Sequence, residues 1–177
     1  MNLKGRLLRF RSFWIFPSLA VAAIVLSKRH NLNSNFADLL WLFPLGLLLW
    51  TFLEYTLHRF VFHMESDGLH SEHHRRPRDS DFILVPPELA ILISAGVAAL
   101  ILSLARNFFV TSGILAGIWA GFLYYEVVHY RVHVGNATGA GMALQRRHHF
   151  HHHFRNSSQC YGVTTPLWDY VFRTNSK

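Results

Sequence analysis

Four apolar blocks alternate with polar segments along the 177-residue chain. They run from about Phe13 to Ser27, Leu39 to Phe62, Glu88 to Ala105 and Phe108 to His133. A helix needs about 20 mostly apolar residues to cross a bilayer. The pattern therefore predicts an all-α integral membrane protein, with one domain that covers residues 1–177.

The first apolar block is short and contains Pro17, so two placements stay open for it. It spans the bilayer at a tilt, or it lies in the interface. A secretory signal is a further alternative, because basic residues precede the block. No convincing small-residue cleavage site follows it, and three more apolar blocks do, which favours a membrane helix over a signal. The preceding basic residues are Lys4, Arg6, Arg9 and Arg11.

The distribution of basic residues predicts the orientation in the membrane. If all four blocks cross, both termini and the 64–87 loop lie on one side. That side holds every Lys and Arg except Lys28, Arg29 and Arg106. Because cytoplasmic segments carry an excess of Lys and Arg, this side is predicted to be cytoplasmic. The host membrane would be the plasma membrane or the endoplasmic reticulum.

The amino-acid composition further limits the class of protein. Apolar residues make up 51% of the chain, and 17 basic residues stand against 10 acidic ones. A basic balance is typical of proteins that bind nucleic acid or a membrane surface. The apolar blocks favour the membrane, so no nucleic-acid partner is expected. The single cysteine, Cys160, excludes an internal disulfide framework and a thiolate metal site.

Histidine is the unusual component, with 13 residues, of which 12 form four clusters. Residues at positions i, i+3 and i+4 share one face of a helix. The five-residue step from His58 to His63 is less regular and fits the end of a helix. Because two crossings separate the second cluster from the last, the predicted topology brings all four clusters to one membrane face. The clusters are His58 with His63; His70, His73 and His74; His129 with His133; and the run from His148 to His153.

The number of convergent histidines indicates two metal ions. A single tetrahedral zinc takes four protein ligands, whereas these clusters supply about ten imidazoles. Nitrogen ligation suits iron, zinc, copper or nickel, and redox chemistry on lipid favours iron. In the last cluster, two sets of three histidines have the same spacing, so spacing alone does not choose between them. The ligands there are either His149, His152 and His153, or His148, His151 and His152.

Two acidic residues lie near these clusters within apolar blocks. Metal-bound histidines commonly donate their second ring nitrogen to a carboxylate, a carbonyl or water. Glu54 precedes His58 by four residues and Glu126 precedes His129 by three. We therefore predict that these carboxylates support the ligands, the alternative being ion pairs with Arg59 or Arg131. The full set of supporting candidates is Glu54, Glu126, His148 and Asp169.

The histidine boxes resemble those of the fatty acid hydroxylase and sterol desaturase superfamily, within it the fatty acid 2-hydroxylase branch. The resemblance extends from about residue 38 to the end of the chain. The segments that carry it are HRFVFH at 58–63, EHHRRPRDSDFILVPP at 72–87, HYRVH at 129–133 and HHFHHHFRNSSQCYGVTTPLWDYVFRT at 148–174.

The resemblance implies a four-helix transmembrane bundle under a cytosolic, histidine-rich di-metal cap built from 58–87 and 129–177. It also implies two iron ions, with zinc as an alternative occupant in purified protein, and O2-dependent hydroxylation at C2 of a fatty acyl chain, free or in a sphingolipid. Counting back from the Gly162-Val163 pair selects one register. The implied ligands are His58, His63, His70, His73, His74, His129, His133, His149, His152 and His153.

The chain departs from many eukaryotic members of that superfamily, which carry an N-terminal cytochrome b5 domain. No His-Pro-Gly-Gly haem motif occurs in the sequence. Electrons are therefore expected from a separate cytochrome b5-like protein or ferredoxin, with its reductase. A basic face is the predicted docking site, because it would attract an acidic partner. That face consists of Arg75, Arg76, Arg78, Arg146 and Arg147.

Two alternatives come from different classes. A sterol desaturase or carotenoid hydroxylase would share the superfamily's metal site but act on another lipid. A non-catalytic membrane metal-binding protein would need ligands along a path across the bilayer, whereas these clusters lie at one face. Gly113, Gly117 and Gly121 recur every four residues in the fourth block, which is typical of close helix packing, the alternative being close approach of an acyl chain.

Overall fold

The computed structural model describes residues 11–31, 34–64, 68–135 and 138–176. Across these ranges the chain forms helices, turns and irregular segments, without strands. Lys4, Arg6, Arg9 and Lys177, which contribute to the predicted orientation, lie outside the described residues. The helices are α1 Ser12–His30, α2 Leu39–Thr56, α3 Leu69–Arg75, α4 Ser80–Ile83, α5 Pro87–Ala105, α6 Phe108–Val134, α7 Ala140–Phe154 and α8 Leu167–Val171.

Among the described residues, four helical segments are long and apolar enough to cross a membrane, as the sequence predicts. They are Ser12–His30, Phe36–Phe62, Pro87–Ala105 and Phe108–Val134. The first has 19 residues, more than its apolar block, because the helix continues through the basic residues Lys28 and Arg29. None of the apolar window of the third segment is buried within the protein. An apolar helix surface of that kind is stable when lipid covers it.

The described chain divides into two compact units, one of Met1–Trp50 with Val85–Leu123 and the other of Thr51–Leu84 with Tyr124–Lys177. Glycine residues allow direct backbone contact between α2 and α6 within the first unit. A Cβ atom on Gly117 would lie 2.1 Å from the carbonyl oxygen of Phe43 and 2.8 Å from the Cα of Gly46. Such an approach is possible only without side chains, which explains the glycine repeat as a packing device.

Phe16 fixes the first helix in the same unit. Its side chain is 1% exposed. Its ring packs edge-on against Phe122 of α6, with the ring centroids 5.3 Å apart. The hydroxyl of Ser112 also donates to the carbonyl oxygen of Ala23 at 3.3 Å. Aromatic packing and a polar contact therefore join α1 to α6.

The second unit contains α3, α4, α7 and α8 with the C-terminal ends of α2 and α6. It holds all the histidines of the four clusters. Its buried residues include an unusual number of polar side chains for a core, and these lie around the histidines. They include Glu54, Glu126, Asp169, His58, His73, His129, His133, His149 and His152.

Candidate metal centre

The structure sorts ten histidines into two groups of five. Within each group, one ring nitrogen of every histidine lies within 4.8 Å of those of the other members. This geometry lets one ion contact all five imidazoles of a group. The first group is His58, His63, His70, His74 and His152; the second is His73, His129, His133, His149 and His153.

A change of helix type explains the five-residue step between His58 and His63. After Thr56 the chain widens from α-helix into a π-helix over Leu57–Phe62, and His63 ends it. A π-helix hydrogen-bonds residues five apart, so it stacks positions that an α-helix would rotate away from each other. The His58 and His63 ring centroids are 5.3 Å apart. The π turn therefore directs both imidazoles into the first group.

Each short helix of the cluster serves both groups. On α3, His70 and His74 belong to the first group and His73 to the second. On α7, His152 belongs to the first group, whereas His149 and His153 belong to the second. The i, i+3, i+4 pattern predicts a shared face, and the structure shows that neighbouring positions on that face supply different groups.

The tautomers of three histidines are fixed by main-chain carbonyls. The Nδ1–H of His58 donates to the carbonyl oxygen of Tyr161 at 2.5 Å. In the same way, His152 donates to the carbonyl oxygen of Gln159 at 2.8 Å, and His129 to that of Ile83 at 3.0 Å. A neutral imidazole carries one proton. With Nδ1 protonated, the Nε2 lone pair of each ring is free for a metal.

These Nε2 lone pairs converge. The Nε2 atoms of His58 and His70 are 3.1 Å apart, and those of His152 and His63 are 3.0 Å apart. In the second group, Nε2 of His129 lies 3.1 Å from Nε2 of His73. Converging nitrogen lone pairs repel unless a cation lies among them. The donor set therefore fits a metal ion in each group, of the kind that imidazole prefers.

Three grouped histidines outside the candidate membrane segments are held neutral. Burial, followed by the neighbouring imidazoles, lowers the pKa of His73 to about 2. Burial likewise lowers the pKa of His74 to about 4 and is the main cause that lowers the pKa of His152 to about 3. Metal ligation requires deprotonated nitrogen, so these rings are ready to bind at neutral pH without first losing a proton.

Glu54 reaches the ligands through a loop rather than by direct contact. Its carboxylate accepts the main-chain N–H of Val163 at 2.6 Å and of Thr164 at 2.8 Å, as well as the Thr164 hydroxyl. The same loop contains Tyr161, whose carbonyl orients His58. We propose that Glu54 supports the first histidine group by fixing this loop.

Asp169 holds the same loop from the other side. Its carboxylate accepts the N–H of Tyr161 at 2.9 Å, the N–H of Gly162 at 2.8 Å and the Thr174 hydroxyl at 2.7 Å. The side chain is completely buried. Two carboxylates, remote in sequence, therefore clamp one turn of main chain.

His148 lies outside both groups. Its Nε2 is 3.0 Å from Asp169 Oδ2. Burial alone would lower the pKa of His148, but hydrogen bonds to Asp169 and Cys160 raise it to about 9. His151 is also outside the groups, with Nε2 3.0 Å from the side-chain oxygen of Gln159. Glu126 is completely buried on α6, and its support of His129 stays a prediction.

Sequence reasoning missed the carbonyl acceptors and the loop contacts of the two carboxylates. Tyr161, Gln159 and Ile83 act through main-chain oxygen, which every residue type possesses, so side-chain patterns carry no signal for them. Cys160, between two of these residues, adopts a left-handed backbone conformation with φ of 60°. That conformation favours glycine, so a cysteine there marks a constrained turn.

Helices able to span a membrane, together with two five-histidine groups, define the class of helical membrane proteins with a candidate dinuclear metal centre. The chain belongs to the fatty acid hydroxylase family, whose family model matches residues 43–174. The resemblance in the histidine boxes is thereby confirmed.

Similar proteins carry related names. Dihydroceramide fatty acyl 2-hydroxylase FAH2 of Arabidopsis thaliana is 33% identical over 173 residues, which cover 92% of this chain and 73% of that protein. Fatty acid 2-hydroxylase of Homo sapiens is 36% identical over 145 residues, which cover 75% of this chain and 39% of that protein. The chain thus spans about two fifths of the human relative.

A solved structure shares the fold. It is described as full-length scs7p with only the hydroxylase domain visible. Its TM-score with this chain is 0.83 at 26% sequence identity, over 99% of this chain and 70% of that one. The helical arrangement described above is therefore that of a known hydroxylase domain.

Proposed function

We propose that this protein is a dinuclear-iron, O2-dependent hydroxylase that places a hydroxyl group at C2 of fatty acyl chains, free or within sphingolipids. The observation that carries the proposal is the pair of five-histidine groups, in which nitrogen lone pairs converge within 4.8 Å. Family membership supports hydroxylation. The names of the relatives support the 2-position and the acyl substrate.

The proposed metal ligands are the ten grouped histidines. Bound iron would supply the O2-dependent oxidation that no protein side chain can perform on an unactivated C–H bond. The chain supplies the rest: it keeps the imidazoles neutral, orients them through carbonyls, and anchors the His58 acceptor through Glu54 and Asp169. Zinc is an alternative occupant that the same nitrogen donors would accept.

The lipid substrate would reach the centre from the bilayer, since four helices are able to span it. We propose that the histidine groups lie on the cytoplasmic side. Within the described residues, the histidine-bearing segments and the tail hold most of the basic residues, whereas Lys28, Arg29 and Arg106 flank the opposite helix ends. The positive-inside rule supports this orientation.

A separate electron-transfer protein, cytochrome b5-like or ferredoxin, with its reductase, is the proposed source of electrons. The basic face is its proposed docking site. Two members of that face are already engaged, because Arg75 and Arg76 form ion pairs with Glu72 at 2.7 and 2.5 Å. Arg78 and Arg147 are exposed, and they are the residues that would attract an acidic partner.

The test is a fatty acid analysis of cells that express the protein with iron and a redox partner. Hydrolysed total lipids are compared by mass spectrometry between wild type and the double variant His152→Ala, His153→Ala. We expect 2-hydroxy acids with wild type and not with the variant. His30→Ala is the control, since His30 belongs to neither group.

The same experiment distinguishes C2 hydroxylation from other lipid oxidations and tests whether the histidine groups are the catalytic centre. If well-expressed wild type yields no 2-hydroxy acid, the C2 proposal is wrong, and the sterol and carotenoid fractions of the same cells then test the other lipid oxidations. If the double variant yields as much 2-hydroxy acid as wild type, the histidine groups are not the catalytic centre.

A further inference from the structure

A cavity of about 1120 Å³ lies on the side of α7 away from the histidine groups. Its walls come from Tyr124 of α6, from α7, from residues 162–164 and from Pro166, Tyr170 and Ser176, all within the second unit. The ligand histidines of α7 do not line it, so it is distinct from the candidate metal centre. Cavities of this size hold organic ligands of several hundred daltons or parts of larger ones.

The charge of the lining is positive. Arg147 and Arg155 both line the cavity, and no Asp or Glu is among the described residues that line it. Both arginines are exposed. Guanidinium groups bind phosphate through paired, charge-assisted hydrogen bonds. An anion is therefore the favoured occupant.

The rim of the cavity is apolar and aromatic. Phe154 is 60% exposed and Tyr170 is 65% exposed, and both line the opening. Leu144 adds a third exposed apolar side chain. Aromatic and aliphatic side chains beside arginine are typical of surfaces that meet the lipid headgroup region. A small inorganic anion would leave this rim uncovered.

Tyr124 connects the cavity to a helix able to span a membrane. It lines the cavity and is 55% exposed, yet it belongs to α6, one of the helices able to span a membrane. Tyrosine is enriched at membrane–water interfaces, where its ring is in lipid and its hydroxyl reaches water. One wall of the cavity therefore belongs to a helix able to span a membrane, which favours a membrane lipid as the occupant.

We propose that this cavity binds an anionic phospholipid of the host membrane, with its phosphate between Arg147 and Arg155 and its acyl part against the aromatic rim. The site is separate from substrate oxidation and does not depend on the identity of the metal. It would tie the membrane's anionic lipid to the helix that carries His149, His152 and His153.

The test uses the full chain purified in a non-ionic detergent. Thermal unfolding is followed while dioctanoyl phosphatidylglycerol, dioctanoyl phosphatidylcholine or inorganic phosphate is added. We expect phosphatidylglycerol to raise the midpoint in a saturable way, since a ligand of the native state stabilises it, and the other two to have little effect. Equal responses to inorganic phosphate, or to phosphatidylcholine, would overturn the proposal.

Variants locate the site. Arg147→Gln with Arg155→Gln should weaken phosphatidylglycerol binding by at least about tenfold, because two charge-assisted contacts are lost. The control is Arg78→Gln with Arg131→Gln, which removes the same charge from exposed positions outside the cavity. Unchanged binding in the first variant, or equal loss in both, contradicts the assignment.

A second measurement, on the wild type alone, tests the proposal even if the arginine variant fails to fold. The affinity of the wild type for phosphatidylglycerol should fall as salt rises from low to physiological concentration, because exposed guanidinium–phosphate contacts are screened. An affinity that does not change with salt would show that the arginines do not hold the phosphate, and the proposal would fail.

Discussion

The carboxylate of Glu54 accepts the main-chain N–H of Val163 at 2.6 Å, across 109 residues of sequence. This bond joins the last turns of a candidate membrane helix to the loop whose Tyr161 carbonyl orients His58. A buried carboxylate is costly unless it is hydrogen-bonded. Glu54 satisfies that condition with the main-chain donors of Val163 and Thr164, and it thereby stabilises the loop.

Glu54→Gln should destabilise the protein and loosen the first histidine group. An amide offers one acceptor oxygen instead of two, and its NH2 group would face a donor, at a cost of about 1–3 kcal/mol. The thermal unfolding midpoint and the bound metal should both fall. Glu88→Gln, at an exposed helix start, is the control and should change neither. Unaltered metal content in Glu54→Gln would contradict the link from this loop to His58.

The two-group arrangement predicts separate losses of metal. His152→Ala removes a first-group ligand and His149→Ala a second-group ligand. Each should lower the metal content by roughly one ion per chain, since each group holds one ion in our proposal. Elemental analysis of the purified variants measures this.

His148→Ala is the matched control for that series. It changes an adjacent histidine of the same helix that bonds to Asp169 instead of joining a group, so the folded variant should keep both ions although its unfolding midpoint falls. Equal metal loss from His148→Ala and His149→Ala would mean that the alternative register describes the site. Loss of both ions from either ligand variant would mean that the groups act as one site.

Asp169→Asn should be strongly destabilising. The buried carboxylate has several donors and lies beside His148, so its replacement leaves that histidine without its ionic partner, at a cost on the order of 3 kcal/mol. The unfolding midpoint in detergent is the measurement. Asp79→Asn is the comparison, because its exposed contact with Arg76 at 3.9 Å is expected to contribute under about 0.5 kcal/mol. Similar midpoints for the two variants would argue against the clamp.

Gly117→Ala should disrupt the contact between α2 and α6. The added methyl group would lie 2.1 Å from a main-chain oxygen that cannot move without the helix. Overpacking of this kind costs typically about 1–3 kcal/mol.

Gly96→Ala provides the opposite expectation. Gly96 is also helical, but a Cβ there would meet nothing within 4 Å. Alanine should therefore be neutral or stabilising by up to about 1 kcal/mol, from helix propensity alone. Both variants are compared by thermal unfolding in detergent. A Gly117→Ala midpoint at or above that of wild type would show that the helices separate readily.

Many structural features of this protein are predicted by its sequence, because they depend on residues that lie close together in the chain. Apolar length determines that four segments form helices able to span a membrane. Helical spacing determines that His70, His73 and His74 share a face, and that His129 and His133 do. The glycine repeat indicates the close helix contact. The number of clustered histidines indicates more than one metal ion, and the histidine boxes indicate the family.

Only the tertiary structure decided which histidine belongs to which group. Spacing along a helix tells which side chains share a face, but not which ring from another helix lies opposite. His73 therefore separates from His70 and His74 although all three lie on α3. The π-helix at Leu57–Phe62, which brings His58 and His63 into one group, is likewise visible only in the structure.

The supports of the ligands were also decided by the tertiary structure. Glu54 and His58 share a helix face in sequence, yet the Glu54 carboxylate bonds to a loop more than 100 residues away. His58 in turn donates to a main-chain carbonyl of that loop. Main-chain donors and acceptors are the same in every residue, so no sequence pattern marks them, and only folding brings the carboxylate, the loop and the imidazole together.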